Sequence, residues 1–277
     1  MRLSPTALAY DHFLLDLDGC VWVGDEGVPG AAEALNGLRA VGKRVVFVTN
    51  DPRHTAEQYV IKLWRVGFQA AAEEVVTVGA ALERLLSESF RPRNAFVIGT
   101  RALVDHVALA GMRIVNATSL APHADLVVVG GHERFDYAEL RTAIQAVSRG
   151  AQLVGTTRDA TFPMPDGPWP GTRSLLAAVE AGTGRQADYI VGKPEPAMYE
   201  AALARLGPGR VLAVGDRMDI DVAGAQAAGL DSALVLTGAC IESDARRSAS
   251  PPTYIGSSLT HLLSAAAGTQ STLGDVA

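Results

Sequence analysis

Short apolar runs alternate with longer amphipathic stretches along most of this chain. The runs are rich in Val, Ile and Leu, which is typical of buried strands, and the stretches between them have the apolar spacing of helices. Alternating strands and helices predict an α/β fold with a largely parallel sheet. Strands are predicted at residues 13–17, 44–48, 95–98, 126–129, 152–154, 189–191, 211–214 and 232–236, and helices at 31–41, 56–66, 137–148, 197–206 and 222–228.

The middle of the chain interrupts this alternation. Residues 158–171 are rich in turn formers and contain four prolines, which break regular structure. A chain of 277 residues is also long enough to form two hydrophobic cores. We therefore predict a core domain of residues 1–80 and 187–277, and a second domain of residues 81–186 inserted into it.

Composition excludes several kinds of partner. The net charge of -6 leaves no basic surface for a nucleic-acid polymer. Two cysteines are too few for a secreted disulfide scaffold, the first residues lack an apolar signal segment, and no apolar run is long enough to cross a bilayer. The sequence therefore predicts a cytoplasmic protein that binds neither membranes nor nucleic-acid polymers.

Polar residues follow four of the predicted strands. In a parallel sheet the carboxyl ends of the strands lie along one edge, where ligands bind, so we expect these residues to converge. Carboxylates from two loops favour Mg²⁺, which accepts substrate phosphate as a further ligand. Two carboxylates beside one phosphorus can act as nucleophile and general acid, while a hydroxyl and an ammonium bind the phosphoryl oxygens. The residues are Asp16, Asp18, Thr49, Asn50, Lys193, Asp216, Asp219 and Asp221.

Each of these residues alone has a second interpretation. An aspartate at a strand end often only caps a helix or turn, and for Asp219 the two interpretations remain equally open. Lys193 fits a solvated surface lysine, and Thr49 with Asn50 fits a helix cap. The order of all four groups along one chain is what favours a catalytic site.

Four segments of the chain resemble, in order, the four motifs of the haloacid dehalogenase superfamily. Nearly the whole chain is similar to its NagD and 4-nitrophenylphosphatase/phosphoglycolate phosphatase branch. The resemblance implies a Rossmann-like parallel-sheet core with a C2-type α/β cap inserted between the second and third motifs. The segments are Asp16-Leu17-Asp18-Gly19, Thr49-Asn50, Gly192-Lys193-Pro194 and Gly215-Asp216-Arg217-Met218-Asp219-Ile220-Asp221.

The resemblance also implies a Mg²⁺-dependent phosphatase. Asp16 would attack phosphorus and form an aspartyl phosphate, while Asp18 would protonate the leaving oxygen and then activate water. Mg²⁺ would be bound by the carboxylates of Asp16 and Asp216 and by the backbone carbonyl of Asp18. Asp221 would orient waters or Lys193.

Substrate contacts are implied for both domains. The substrate would be a small phosphorylated metabolite such as phosphoglycolate, glycerol phosphate, 4-nitrophenyl phosphate or a nucleotide or sugar phosphate. A homodimer through the cap is compatible with the resemblance. The implied substrate-binding residues are Thr49, Asn50, Asp51 and Lys193 at the phosphoryl group, Phe162 as an apolar wall in the cap, and Arg173 facing a second anionic group. Asp51 departs from the usual motif, and its carboxylate would repel a substrate anion.

Two other functions share part of this pattern. Dehalogenases of the superfamily use an aspartate nucleophile but need no acid two residues later, so Asp18 argues against dehalogenation. A phospho-accepting receiver module without turnover combines acidic residues, a Thr or Ser and a Lys-Pro pair, but needs neither an inserted domain nor Asp-x-Asp. A nucleotide-cofactor oxidoreductase ranks last because no strand is followed by Gly-x-Gly-x-x-Gly.

Overall fold

The computed structural model describes residues 2–164 and 167–265. Fifteen strands lie in these ranges: β1 His12–Asp16, β2 Trp22–Val23, β3 Glu26–Gly27, β4 Arg44–Thr49, β5 Val75–Thr77, β6 Asn94–Ile98, β7 Arg113–Ile114, β8 Leu126–Val129, β9 Gln152–Gly155, β10 Thr161–Met164, β11 Gly167–Pro170, β12 Tyr189–Ile190, β13 Val211–Gly215, β14 Asp231–Val235 and β15 Tyr254–Gly256.

Eleven α-helices lie in the same described part of the chain. They are α1 Pro5–Leu8, α2 Ala31–Ala40, α3 Ala56–Arg65, α4 Val78–Ser89, α5 Arg101–Leu109, α6 Tyr137–Ser148, α7 Thr172–Thr183, α8 Pro196–Leu206, α9 Ala223–Ala227, α10 Glu242–Arg247 and α11 Leu259–Leu263. None of the helices in the ranges described is long and apolar enough to span a membrane.

The chain folds into two compact units. The first contains the residues up to Thr49, the segment Ala56–Val76 and the residues from Tyr199 onward. The second contains Asn50–Thr55 and Thr77–Met198. This division differs from the predicted limits of 81 and 186 because Thr77 caps α4 and β12 pairs with β9, which places both flanking segments in the second unit.

The first unit is built on a six-stranded sheet in the order β15-β14-β13-β1-β4-β5. β1 is parallel to both β13 and β4, and all five of its residues are buried, as expected for a strand covered on both faces. From β1 the successive strands β4 and β5 lie on one side, and from β13 the successive strands β14 and β15 lie on the other. The carboxyl ends of β1 and β13 therefore form a topological switch point, where ligands bind in folds of this kind.

Apolar side chains from the sheet and from α2, α3 and α11 form the core of the first unit. Its largest members are fully buried, and the rings of Phe47 and Phe68 pack edge to face at 5.4 Å between centroids. Side chains of β1 and β4 are part of this close-packed core. The residues at the carboxyl ends of these strands therefore follow well-packed segments of the chain.

The second unit has a five-stranded parallel sheet in the order β12-β9-β8-β6-β7 and a separate antiparallel hairpin, β10-β11. Its core is distinct and includes Ile98, Val127, Leu153 and Leu176. Helix α6 begins with a capping box in which Asp136 and Glu139 bind each other's backbone N–H groups.

The predicted α/β class is confirmed, as are the five predicted helices. Several short strands were missed in the sequence. β2, β3 and β7 have only two residues each, too few to produce an alternating pattern, and the β10-β11 hairpin carries the prolines that predict a loop. These short strands are stabilised by hydrogen bonds to neighbouring strands, and a local sequence pattern does not indicate such pairing.

Candidate active site

Asp16 is the last residue of β1 and is buried at the switch point of the first sheet. The chain turns directly after it, because the carbonyl of Leu17 accepts hydrogen bonds from the N–H groups of Val21, at 2.8 Å, and of Cys20 and Trp22. Gly19 in this turn has φ +80°, and a Cβ atom there would lie 2.5 Å from Oδ2 of Asp216. Glycine is therefore required both by the backbone and by the approach of Asp216.

Three buried carboxylates meet at this end of the sheet. One oxygen each of Asp16, Asp216 and Asp221 lies within 4.8 Å of the others. Three such charges repel each other strongly in a buried site unless a cation neutralises them. Closely spaced carboxylate oxygens are the ligands that Mg²⁺ prefers, so this donor set fits a magnesium ion.

Each of the two later carboxylates is oriented by a backbone N–H group. Oδ2 of Asp216 accepts a hydrogen bond from Ala239 at 2.7 Å, and Oδ2 of Asp221 accepts one from Arg217 at 3.1 Å. Asp221 lies in the π-helical turn Met218–Val222, and its carbonyl accepts a hydrogen bond from the hydroxyl of Tyr199 at 3.0 Å. The turn thus directs Asp221 back toward the strand end from which Asp216 emerges.

Asp219, in the same turn, points elsewhere. Its Oδ2 lies 3.0 Å from Nη2 of Arg217, and its side chain is 72% exposed. It does not belong to the group of three carboxylates found among the described residues. The structure therefore favours the interpretation of Asp219 as a surface residue of the turn.

The loop after β14 completes this region and was missed in the sequence. Ala239 donates the hydrogen bond to Asp216, and the hydroxyl of Thr237 donates to the carbonyl of Gly19. A Cβ atom on Gly238 would lie 1.9 Å from Oδ2 of Asp216. The signal was available, because Thr237 and Gly238 closely follow a predicted strand of the same parallel sheet, where ligand-binding residues collect.

The thiol of Cys240 follows in the same loop. Burial raises its pKa, and the carboxylates of Asp244, Asp216 and Asp219 raise it further. The thiol is therefore protonated at neutral pH, and a thiol in this state is a poor nucleophile. Carboxylate chemistry, rather than thiol chemistry, is what this region supports.

Asp18 lies in the turn that follows β1. Its Oδ1 accepts a hydrogen bond from the indole Nε1 of Trp22 at 2.8 Å. Trp22 is completely buried, and its relation to Asp18 was also missed in the sequence. On the other side of β1, Thr49 is the last residue of β4 and is buried.

In the second unit, the carboxamide of Asn50 binds the backbone of Lys193. Its Oδ1 accepts from the N–H of Lys193 at 2.8 Å, and its Nδ2 donates to the carbonyl of Lys193 at 3.0 Å. The same Nδ2 donates to Oδ2 of Asp159 at 3.0 Å. Lys193 is 3% exposed, so the interpretation as a solvated surface lysine is wrong.

The carboxylate of Asp51 is neutralised within its own segment. Oδ1 accepts from the backbone N–H and from Nε of Arg53, at 2.9 and 2.8 Å, and Oδ2 accepts from Nη2 at 3.0 Å. A bidentate guanidinium pair cancels most of the field of a carboxylate. The predicted repulsion of a substrate anion by Asp51 is accordingly reduced.

The two residues predicted for substrate selection lie in the second unit. Phe162 belongs to β10, but its side chain lies outside the part of the chain that the structure describes. Arg173 is the second residue of α7; its N–H donates to the carbonyl of Asp159 at 3.1 Å, and its side chain is exposed. Arg173 is therefore accessible to a solute.

Comparison with known proteins agrees with this geometry. A family model described as haloacid dehalogenase-like hydrolase matches residues 13–113, and one for HAD-hydrolase-like proteins matches residues 190–262. The D-glycerol 3-phosphate phosphatase of Mycobacterium tuberculosis is 37% identical over 263 residues, which are 94% of this chain and 73% of the relative. The chain belongs to the haloacid dehalogenase-like hydrolases.

Other members of this hydrolase family are similar over most of their length. Sugar-phosphatase AraL of Bacillus subtilis is 32% identical over 248 residues, which cover 89% of this chain and 90% of the relative. A crystal structure of glycerol phosphate phosphatase from Mycobacterium tuberculosis in complex with magnesium superposes with a TM-score of 0.85 at 36% identity, covering 95% of this chain and 79% of that one. NagD from E. coli K-12 superposes with a TM-score of 0.82 at 27% identity, covering 90% and 96%. The predicted family and branch are confirmed.

Proposed function

We propose that this haloacid dehalogenase-like hydrolase is a Mg²⁺-dependent phosphatase that cleaves small phosphate monoesters through an aspartyl phosphate on Asp16. The observation that carries the proposal is the buried group of Asp16, Asp216 and Asp221 at the end of β1, with Asp18 two residues beyond. The chain is a phosphoric monoester hydrolase, in keeping with its similarity to named phosphatases over most of its length.

The carboxylate of Asp16 acts as the nucleophile. It attacks phosphorus, the bond from phosphorus to the ester oxygen breaks, and Asp18 gives that oxygen its proton. The carboxylate of Asp18 then takes a proton from water, which attacks the aspartyl phosphate and releases inorganic phosphate and free Asp16. Mg²⁺, when bound by Asp16, Asp216 and the carbonyl of Asp18, neutralises charge on the carboxylates and the phosphoryl oxygens.

Phosphoryl oxygens are proposed to be bound by the hydroxyl of Thr49, the backbone N–H groups of Asn50 and Asp51, and the ammonium of Lys193. Three observations support these roles. Thr49 and Lys193 are buried, the Asn50 carboxamide holds both backbone groups of Lys193, and Arg53 neutralises the Asp51 carboxylate. A buried ammonium interacts strongly with an anionic group in a site of low dielectric.

The substrate class is a small phosphorylated metabolite. The names of the relatives point to glycerol phosphate and sugar phosphates, and we propose that the second unit chooses among such esters through Phe162 and Arg173. Two further proposals rest on the sequence alone. These are a cytoplasmic location and a homodimer formed through the second unit. Sedimentation velocity distinguishes a homodimer from a monomer.

A phosphate-release screen tests the central proposal. Purified protein is incubated with glycerol phosphate, phosphoglycolate, sugar phosphates, nucleotides and 4-nitrophenyl phosphate, each with Mg²⁺ and with excess chelator. We expect many turnovers on at least one of these esters with Mg²⁺, and none with chelator. Incorporation of one phosphoryl group per chain without turnover would instead indicate a receiver module.

The cap residues are expected to change the order of substrates in that screen. Arg173→Gly removes an exposed cation, so its kcat/KM for esters with a second anionic group, such as phosphoglycolate, should fall at least about fivefold relative to 4-nitrophenyl phosphate. Phe162→His adds polarity to the second unit and should also change the order of the substrates. Arg101→Gln is a matched control, because Arg101 also lies at the start of a helix and pairs with Asp105 on its own helix. An unchanged order in both cap variants would remove Phe162 and Arg173 from substrate selection.

A further inference from the structure

Trp22 is a buried aromatic residue whose indole N–H donates a hydrogen bond to Asp18, the proposed general acid. Its side chain is 0% exposed, and its Nε1 donates to Oδ1 of Asp18 at 2.8 Å. A buried indole N–H that lacks an acceptor destabilises the fold, so this hydrogen bond satisfies the tryptophan. The same bond also determines where one oxygen of Asp18 lies.

Two side chains of α3 contact the indole ring. One face stacks on the ring of Tyr59 in α3, with centroids 6.3 Å apart and an angle of 6° between the planes. Nζ of Lys62 lies 4.5 Å from the indole centroid and donates to the carbonyl of Gly24 at 2.7 Å. Stacking and the cation–π contact together restrict rotation of the ring.

The backbone of the same turn is also closed. The N–H of Gly19 donates to the carbonyl of Trp22 at 2.7 Å, and Trp22 begins the small hairpin β2-β3. Trp22 is therefore joined to this turn twice, through its carbonyl to the N–H of Gly19 and through its indole N–H to the side chain of Asp18. The N–H donor has a defined position with respect to Asp18.

We propose that Trp22 is a positioning residue for the acid–base step, holding the Asp18 carboxyl group so that its second oxygen carries the transferred proton. An indole N–H donates and cannot accept, so Oδ1 acts as an acceptor toward it and the acidic proton resides on Oδ2. The inference rests on the proposed role of Asp18. Trp22 keeps its own proton throughout: the proton passes from Oδ2 to the ester oxygen as the P–O bond breaks, and Oδ2 later receives one from water.

This arrangement makes a specific kinetic prediction. An alkoxide leaving group needs a well-placed acid much more than nitrophenolate does, because nitrophenolate is stable without a proton. Trp22→Phe retains an aromatic ring beside Tyr59 but has no N–H. We expect its kcat/KM to fall about tenfold for glycerol 3-phosphate and about twofold for 4-nitrophenyl phosphate, within the range by which general acids accelerate reactions.

Trp64→Phe is the matched control. Trp64 also donates from Nε1 at 2.8 Å, but to the carbonyl of Ala70, and its side chain is 59% exposed. We expect both esters to change by less than about twofold in this variant. Equal losses on the two esters in Trp22→Phe would overturn the proposal, since a merely structural role affects both alike.

A double-mutant cycle with Asp18→Asn separates the inference from the proposed function. If Asp18 is the acid, Asp18→Asn loses activity mainly on the alkyl ester, and adding Trp22→Phe has little further effect. If Asp18→Asn has wild-type activity on both esters, the proposed function of Asp18 fails. If Asp18→Asn is impaired, but adding Trp22→Phe lowers its activity by the same factor as in the wild-type protein, only the Trp22 inference fails.

Lys62→Met provides a second variant if Trp22→Phe does not fold. It removes the cation beside the indole at a position where 28% of the side chain is exposed, so the protein should remain folded. We expect a smaller loss with the same selectivity, about threefold on glycerol 3-phosphate and less on 4-nitrophenyl phosphate. Equal changes on both esters in this variant would contradict the proposal.

Discussion

Asp16→Asn is expected to lower Mg²⁺-dependent phosphate release by at least about 10⁴-fold, the scale on which loss of a covalent nucleophile is felt. A neutral carboxamide is a poor nucleophile and cannot form the aspartyl phosphate. Asn has nearly the shape of Asp, so it should fit the buried end of β1 without disturbing the pairing with β13 and β4. The removal of one of three repelling carboxylates should leave the stability of the metal-free protein unchanged or slightly raised.

The measurement is steady-state phosphate release, accompanied by circular dichroism and thermal unfolding. Asp219→Asn is the matched control, because it makes the same chemical change in an exposed carboxylate paired with Arg217. Its activity should remain within about threefold of wild type. Turnover by Asp16→Asn within tenfold of wild type, in a folded protein, would show that another group attacks phosphorus.

Asp216→Asn is expected to raise the Mg²⁺ concentration for half-maximal activity by at least about 100-fold. A carboxylate that binds the ion directly contributes more than the outer groups that orient ligands, whose removal costs about 10- to 100-fold in affinity. Asp216 is also enclosed by the loop after β14, through the N–H of Ala239 and the close approach of Gly238. Asn at this position would weaken both the charge and the orientation of the group.

Two companion variants make the metal prediction specific. Asp221→Asn should raise the required Mg²⁺ concentration about 10-fold if Asp221 orients ligands, and as much as Asp216→Asn if it binds the ion directly. Gly238→Ala should also weaken the binding of Mg²⁺, because the added Cβ atom would displace Oδ2 of Asp216. Isothermal titration with Mg²⁺ alone measures the affinity independently of turnover. Wild-type affinity in Asp216→Asn would remove it from the metal site.

Several features could be predicted from the sequence because they are local or follow from one rule of topology. The alternation of strands and helices predicts the α/β class, and the rule that strand ends share an edge predicts that Asp16 and Asp216 meet. Both are confirmed by the structure. Asp221 was expected near the same site, and its carboxylate lies within the group itself.

Other features could not be predicted because they depend on which distant segments pack together. Lys193 fits a solvated lysine in the sequence, but the carboxamide of Asn50, more than a hundred residues earlier, holds its backbone inside the second unit. Asp51 suggests repulsion of an anion until its bidentate partner, Arg53, is seen. The hydroxyl of Thr237 binds the turn at Gly19, which no spacing in the sequence indicates.

The sequence by itself determined the family and the phosphatase chemistry, and it predicts Asp16 as the nucleophile, since the motif around Asp16 and Asp18 specifies residue types at fixed local spacing. The tertiary structure alone decided how those residues are oriented: which oxygen of Asp18 is bound by Trp22, which glycines admit the carboxylate of Asp216, and why Asp219 faces solvent. The physical reason is that reactivity depends on residue type, whereas orientation depends on close packing and hydrogen bonds between segments that are brought together only by the fold.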